Sequence, residues 1–85
     1  MKLTLKLYAG LSRYLPDEAE NNAVNLDVNE NTTPNALVEK YNLPFESVHI
    51  VLLNGVYIKP EERDQPLLKE GDVLAMWPPV AGGRR

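Results

Sequence analysis

Apolar and polar residues alternate in two stretches near the start of the chain. Leu3, Leu5 and Leu7 are separated by the polar Thr4 and Lys6, and a period of two is typical of a half-buried strand. The same alternation recurs further on, with apolar residues at Val24, Leu26 and Val28. The pattern therefore predicts two strands. We expect residues 10–17 between them to form a loop with one helical turn around residues 11–14.

A single main helix is predicted after residue 32. Thr33 offers a hydroxyl that can cap a helix, and Pro34 suits the first helical position, where no N–H is needed. The apolar residues that follow are spaced to lie on one face: Leu37, Val38 and Tyr41. We expect the helix to end near Asn42, ahead of the next proline.

The dipeptide Asn54-Gly55 predicts a β-hairpin. It separates two apolar, β-branched runs, Val48–Leu53 and Val56–Ile58, and both turn positions of a two-residue hairpin require positive φ. Residues 60–65 are expected to form a charged loop. The last predicted strand, Val73–Trp77, is apolar on both faces, which is typical of a strand in the centre of a sheet.

The order of these elements predicts the fold class. Strand, strand, helix, strand, short strand, strand in 85 residues fits one small α+β domain. A parallel pairing of the first and last strands would place residues 73–77 in the centre. This is the β-grasp (ubiquitin-like) arrangement, a mixed sheet of about five strands with one main helix packed across it. We assign residues 1–77 to this domain and residues 78–85 to a flexible tail.

The composition excludes several kinds of active site. The chain has no cysteine and one histidine, so thiol nucleophiles, cysteine-based metal centres and histidine-based acid–base catalysis lack their residues. We therefore expect no metal site, no bound cofactor and no catalytic residue of its own. For the lone histidine, His49, we expect an outward-facing or hydrogen-bonded position in a strand.

Charge and hydropathy limit the classes of partner that we expect the protein to bind. Nine basic and twelve acidic side chains give a net charge of −3, and the basic ones are scattered apart from Arg84-Arg85, so no stripe follows a phosphate backbone. Residues 1–15 contain no apolar core of a signal peptide, and the longest apolar stretch, residues 73–81, is too short to span a bilayer. We expect a cytoplasmic protein with neither nucleic acid nor membrane as its partner.

The C-terminal segment differs in composition from the rest of the chain. Pro78-Pro79 cannot donate ladder hydrogen bonds and favours an extended, stiff backbone. Beyond it the side chains shrink in the order Val80, Ala81, Gly82 and Gly83. Such a segment can enter a narrow channel, because glycine lets a backbone approach another active site closely. The alternative is a frayed terminus without a function.

Three motifs resemble a known family. The ending PPVAGG, the opening LKLYAGLSRYL and the central VLLNG resemble the MoaD/ThiS family of ubiquitin-like sulfur carriers over nearly the whole chain. The Pro-Pro before Val-Ala-Gly-Gly is most similar to the small subunit of molybdopterin synthase.

The resemblance implies a carrier rather than an enzyme. An E1-like adenylyltransferase would use ATP to activate the terminal carboxylate of Gly83. A sulfur donor of the desulfurase or rhodanese type would then convert the adenylate into a thiocarboxylate. The tail from Pro78 to Gly83 would enter a large catalytic synthase subunit, and its sulfur would be used in molybdenum cofactor biosynthesis.

The residues after Gly83 depart from the family pattern. Members of this kind end at Gly-Gly, whereas this sequence continues with Arg84-Arg85, so the carbonyl of Gly83 is part of an amide. We expect a protease to cut between Gly83 and Arg84 before the protein acts. Three functions stay open: the synthase subunit, a ubiquitin-like modifier or a carrier for thiamine or another sulfur metabolite, and an interaction module with an inert tail.

Two further groups of residues have both a structural and a functional interpretation. Of Met76 and Trp77, we expect one to fill the core, and an exposed Trp77 would be a contact for a partner enzyme. The segments 61–64 and 17–20 are rich in carboxylates. We interpret them as solvated loops, with a salt-sensitive contact to a basic partner as the alternative.

Overall fold

Five strands form one mixed sheet in the computed structural model, which describes residues 1–79. The strands are β1 (Lys2–Leu7), β2 (Ala23–Asp27), β3 (Ile50–Leu53), β4 (Val56–Tyr57) and β5 (Val73–Trp77). One α-helix, α1, spans Pro34–Lys40, and three short 3₁₀ helices span Ala9–Tyr14, Phe45–Ser47 and Pro60–Glu62.

The strand order confirms the predicted topology. The sheet runs β2-β1-β5-β3-β4, so β5 lies in the centre. It pairs in parallel with β1, with Leu5 opposite Leu74, and antiparallel with β3, with Val51 opposite Met76. The remaining two pairings, β1–β2 and β3–β4, are antiparallel. This is the β-grasp fold expected from the order of the elements.

The hydrophobic core lies between one face of the sheet and α1. Paired residues in a sheet point to the same face, and the leucines of β1 share theirs with Leu74 and Met76 of β5 and Val51 of β3. These side chains are almost fully buried, and α1 adds Leu37 and Val38, each 1% exposed. The alternation of apolar residues in β1 therefore marks the face that the helix covers.

Both ends of α1 have local causes. The hydroxyl of Thr33 accepts a hydrogen bond from the Ala36 N–H at 3.0 Å, and Pro34 is the first helical residue, as predicted. The helix ends at Lys40, close to the expected position. There Asn42, with φ of 60°, donates to the carbonyl of Glu39, and Leu43 donates to that of Val38. This pair of bonds is the Schellman motif.

The β3–β4 hairpin turns at Asn54-Gly55, where φ is 51° and 85°, as the sequence predicts. The Asn54 side chain also ties the turn to the start of β5: its Nδ2 donates to Asp72 at 3.0 Å, and its Oδ1 accepts the Val73 N–H at 2.9 Å. The predicted strand start at Val48 was wrong by two residues, because the preceding 3₁₀ helix is capped there.

The connection after β1 agrees with the sequence prediction. The expected turn after β1 is the 3₁₀ helix Ala9–Tyr14, which buries Leu11. No helix within residues 1–79 has the length and apolar character needed to cross a membrane.

The N-cap of α1 provides a test of this local account. We expect Thr33→Ala to lower the free energy of unfolding by about 1 kcal/mol, because the Ala36 N–H loses its acceptor. Urea unfolding followed by the fluorescence of Trp77 measures this loss. Thr33→Ser keeps the hydroxyl and should unfold like the wild type. Equal stability of the alanine variant would show that the cap contributes nothing.

Candidate functional site

The chain leaves the sheet at the end of β5, beside the start of β3. The carbonyl of Trp77 accepts the His49 N–H at 2.9 Å, and the carbonyl of Met76 accepts the Tyr8 N–H at 3.1 Å. Pro78 is half-buried and Pro79 is exposed, and neither has an N–H to continue the ladder. The strand thus stops at the predicted residue. The remaining predicted tail, Val80, Ala81, Gly82, Gly83 and Arg84-Arg85, lies outside the described residues.

Trp77 marks this exit with an aromatic stack. Its indole lies on the ring of Tyr8, with ring centroids 4.5 Å apart and an interplanar angle of 8°. Met76 is fully buried, whereas Trp77 is half-buried. Of the two, Met76 fills the core and Trp77 remains available at the surface. Stacking on Tyr8 restrains the indole, so the tryptophan presents a fixed aromatic surface beside the exit.

A second apolar surface lies on the face of the sheet opposite α1, and we call it the open face. Ala75 pairs with Leu52, and Trp77 with Ile50; these side chains and that of Val73 point away from the core. Ala75 is buried among its neighbours, and the other four are half-buried. Tyr57 of β4 pairs with Leu52 and points to the same side. The open face therefore consists of Ile50, Leu52, Tyr57, Val73, Ala75 and Trp77.

The open face has the character of a docking surface. A contiguous apolar surface that the fold leaves uncovered marks a site of interaction more often than a single exposed side chain does. It contains Trp77, so it extends to the point where the chain leaves the sheet. A protein that covers this face is thereby brought next to the segment that follows Pro79.

The loop after β4 contains a side chain that the sequence interpretation placed wrongly. Glu61, Glu62 and Asp64 are exposed, as expected of a solvated loop, but Arg63 is only 6% exposed. Its Nε donates to the carbonyl of Ile58 at 3.0 Å, and its Nη2 to that of His49 at 3.2 Å. Its carbonyl acceptors come from two segments, residues 48–49 and Ile58. No local pattern in the sequence connects these segments with Arg63, which is why its burial was missed.

Further contacts complete the surroundings of this guanidinium. Nη1 is 3.5 Å from the carbonyl of Val48, and Nη2 is 3.5 Å from the hydroxyl of Tyr57. The Tyr57 ring centroid lies 5.7 Å from Cζ. No carboxylate in residues 1–79 is within ion-pair distance of Arg63, so carbonyl dipoles and an aromatic ring stabilise its charge. The network also contacts His49, whose N–H binds the last carbonyl of β5.

The side chains that could bind a metal ion are dispersed in the described part of the chain. Residues 1–79 contain no group of three His, Cys, Asp or Glu side chains that could hold a metal ion. His49 is exposed, as expected. Burial, with a smaller contribution from Glu18, raises the pKa of Tyr41 from 10.0. Tyr41 packs against the hydrophobic core at the end of α1, so this shift reflects packing.

The structure brings some predicted site residues together. Trp77, Pro78 and Pro79 lie at one end of the sheet, and Tyr8 and the open face, which the sequence did not indicate as functional, join them there. Tyr8 belongs to the opening motif, but its stacking partner, Trp77, lies near the other end of the chain. The expected chemistry at Gly83 and the cut before Arg84 lie beyond the described residues.

Comparison with known proteins identifies a family and similar folds. A sequence model of the ThiS family matches residues 12–83. Among solved structures, SAMP1 (small archaeal modifier protein 1) from Haloferax volcanii is 27% identical, with a TM-score of 0.66, over 98% of this chain and 100% of that one. No curated protein sequence is significantly similar to this chain.

Two other solved structures share the fold at lower identity. A putative molybdopterin converting factor, subunit 1, from Pyrococcus furiosus is 22% identical, with a TM-score of 0.63, over 93% of this chain and 98% of that one. A chain of the complex of subunits 1 and 2 of molybdopterin-converting factor from Helicobacter pylori 26695 is 21% identical. Its TM-score is 0.60, over 98% of this chain and 100% of that one.

The Arg63 network gives a second prediction. Arg63→Met leaves buried carbonyls without donors, so we expect the free energy of unfolding to fall by at least about 2 kcal/mol. Arg63→Lys keeps the charge but not the planar fork of donors, and should lose part of this. Urea unfolding monitored by Trp77 fluorescence measures both.

The matched control for Arg63 is the exposed Arg13, which lies over the ring of Tyr14 at 5.5 Å. Arg13→Met should change the stability by no more than about 0.5 kcal/mol. Equal effects of the two methionine substitutions would contradict a special role for the buried guanidinium.

Proposed function

This chain belongs to the ThiS family of ubiquitin-like sulfur carriers, and on that premise we propose that Gly83 is the residue that carries sulfur. The family match is the observation that supports this assignment most directly, because it ends at Gly83 and leaves Arg84-Arg85 outside. We propose that a protease removes whatever follows Gly83, so that its carboxylate becomes free.

The proposed chemistry takes place in partner enzymes. An oxygen of the Gly83 carboxylate attacks the α-phosphate of ATP in an E1-like adenylyltransferase, and pyrophosphate leaves. The terminal sulfur of a persulfide on a desulfurase- or rhodanese-type donor then attacks the acyl carbon, and AMP leaves, which gives an acyl disulfide between Gly83 and the donor. A thiol attacks the donor's sulfur, so the thiocarboxylate leaves and the thiol and the donor's sulfur remain joined as a disulfide. The carrier supplies the carboxylate and its position, which is consistent with the absence of cysteine from the sequence.

The segment between the fold and Gly83 suits this role. Pro78-Pro79 follows the last ladder contact at Trp77, and a proline pair favours an extended course away from the sheet. The residues beyond it, from Val80 to Gly83, have small side chains. We propose that this segment enters the active site of the partner.

We propose that the open face binds that partner. Its apolar side chains can bury area against a second protein, and Trp77, fixed by Tyr8, supplies the kind of aromatic residue that often dominates binding energy. Docking on this face sets the distance from the partner's surface to the exit at Pro78, and the tail then reaches the partner's active site.

For the pathway, we propose that the protein is the small subunit of molybdopterin synthase. The two molybdopterin-converting-factor structures share its fold, and one of them is a complex of two subunits. In that role the large catalytic subunit accepts the tail and transfers its sulfur to the pterin precursor. Supply of thiamine or of another sulfur metabolite is the alternative use of the same thiocarboxylate.

A second candidate function is protein modification. SAMP1, the neighbour at 27% identity, is named as a modifier protein. In a modifier, the activated Gly83 would be transferred to a lysine amine, with loss of AMP and formation of an isopeptide bond. The products distinguish the two functions: protein adducts that resist thiol and hydroxylamine for a modifier, and a sulfur-bearing small molecule for a carrier.

The C-terminus provides the direct test of sulfur loading. A chain that stops at Gly83, incubated with the E1-like enzyme, ATP and a sulfur donor, should gain a mass corresponding to one oxygen replaced by sulfur. The chain that ends at Arg85 should gain nothing, because it has no carboxylate at Gly83. Intact mass spectrometry measures both. Equal loading of the two chains, or loading of a chain that lacks Gly83, would exclude the proposal.

The open face gives a separate test of docking. Val73→Asp places a carboxylate on this face, at the start of β5, and we expect it to weaken binding to the large subunit about tenfold or more, which is about 1.4 kcal/mol. Ala36→Asp, at an exposed position of α1 on the other side of the sheet, is the control with the same new charge. Isothermal titration calorimetry measures both affinities, and circular dichroism verifies the fold. Equal affinities would place the interface elsewhere.

A further inference from the structure

We infer that the β3–β4 edge of the sheet carries a second docking site, for a partner segment that presents an apolar side chain flanked by basic residues. A groove of about 280 Å³ lies there. We call its apolar lining the edge patch: Phe45, Val48, Tyr57 and Pro60. The inference concerns binding at this groove and does not depend on sulfur chemistry at Gly83.

Exposure concentrates at this edge. Phe45 and Tyr57 are each 51% exposed, and Tyr57 also belongs to the open face. Val56 of β4 is 69% exposed and points to the opposite face. These three are the large apolar side chains that the fold leaves exposed within residues 1–79. All three fall between residues 45 and 57, at one end of the strand order. Two aromatic side chains bordering one groove are suited to hold an apolar side chain from another protein.

The groove is held in shape by the fold. Arg63 lines the groove. Its guanidinium is held in place because it donates hydrogen bonds to the carbonyls of Ile58 and His49. The loop on its far side is attached to α1, because the N–H of Asn35 donates to the carbonyl of Arg63 at 3.0 Å. A preformed groove reduces the ordering cost of binding.

The charges around the groove select a basic partner. Exposed carboxylates stand next in sequence to its lining residues, at Glu46, Glu61 and Glu62. Against them the segment 45–64 offers one exposed cation, Lys59. Complementary charge at the rim with an apolar centre is the usual arrangement of a specific interface.

The same charges argue against other occupants. An anionic ligand would meet these carboxylates, while the guanidinium of Arg63 already donates to main-chain carbonyls. A second copy of this chain docked symmetrically would bring two acidic rims together. The occupant that fits is a segment of another protein. Its leucine-like side chain lies between Phe45 and Tyr57, and arginine or lysine stands on either side of that side chain.

The experiment uses the full chain and two short synthetic peptides, one of arginine and leucine and one of glutamate and leucine. In ¹⁵N-labelled protein, the basic peptide should shift the amide signals of Val48, His49 and Tyr57, and added salt should weaken its binding. The acidic peptide should produce no such shifts. Equal shifts with both peptides, or shifts spread over the chain, would overturn the inference.

Two variants locate the site. Phe45→Ser removes an aromatic wall, and a Glu61→Lys, Glu62→Lys double variant reverses the rim; each should raise the Kd of the basic peptide about tenfold or more. A Glu18→Lys, Glu20→Lys double variant makes the same change of net charge beside a different groove and should bind with a smaller loss. If both double variants lose affinity equally, attraction by net charge alone explains the binding, and the inference fails.

Sulfur loading provides an independent readout. Phe45→Ser, made in the chain that stops at Gly83, should be loaded as fully as its parent, because Phe45 lies outside the open face and the tail. Loss of peptide binding with normal loading supports the second site whatever the pathway. Normal peptide binding by a chain that cannot be loaded would reject the proposed function and leave the second site intact.

Discussion

The parallel pairing of β1 with β5 places the last strand of the chain in the centre of the sheet. Thr4 to Leu7 run beside Val73 to Met76, and β3 closes the other edge of β5. Parallel strands cannot be joined by a tight turn, so the helix, the hairpin and the intervening loops all lie between the two. Because β5 is hydrogen-bonded on both sides, the chain leaves from a firmly held point at Trp77.

The two faces of this sheet differ in how deeply their side chains are buried. Leu74 and Met76 point toward α1 and are fully buried, whereas Val73 and Trp77, one residue away in each case, are half-buried. A helix of seven residues covers one face only. In the function we propose, the apolar side chains of the other face are buried further when a second protein docks there.

Arg63 helps to keep the exit rigid. Its guanidinium bridges the carbonyls of Ile58 and His49, and the N–H of His49 binds the carbonyl of Trp77. A charge buried without a carboxylate partner is costly unless its donors are satisfied, and here main-chain acceptors satisfy them. In the function we propose, the rigid folded domain and the tail have different roles. The domain selects and orients partners, and the tail carries the reacting atom on a glycine.

The local elements of the fold follow from short-range features of the sequence. Alternating leucines in β1, the Thr33-Pro34 cap and the Asn54-Gly55 turn depend on neighbours a few residues apart, and their order implied the β-grasp topology. The family motifs at the tail were likewise visible in the sequence. Three features depend on long-range contacts: Met76 is buried while Trp77 stacks on Tyr8, the second face of β5 is left open, and Arg63 is enclosed. Each of these depends on partners brought from distant segments, and no local pattern of polarity records which segments will meet.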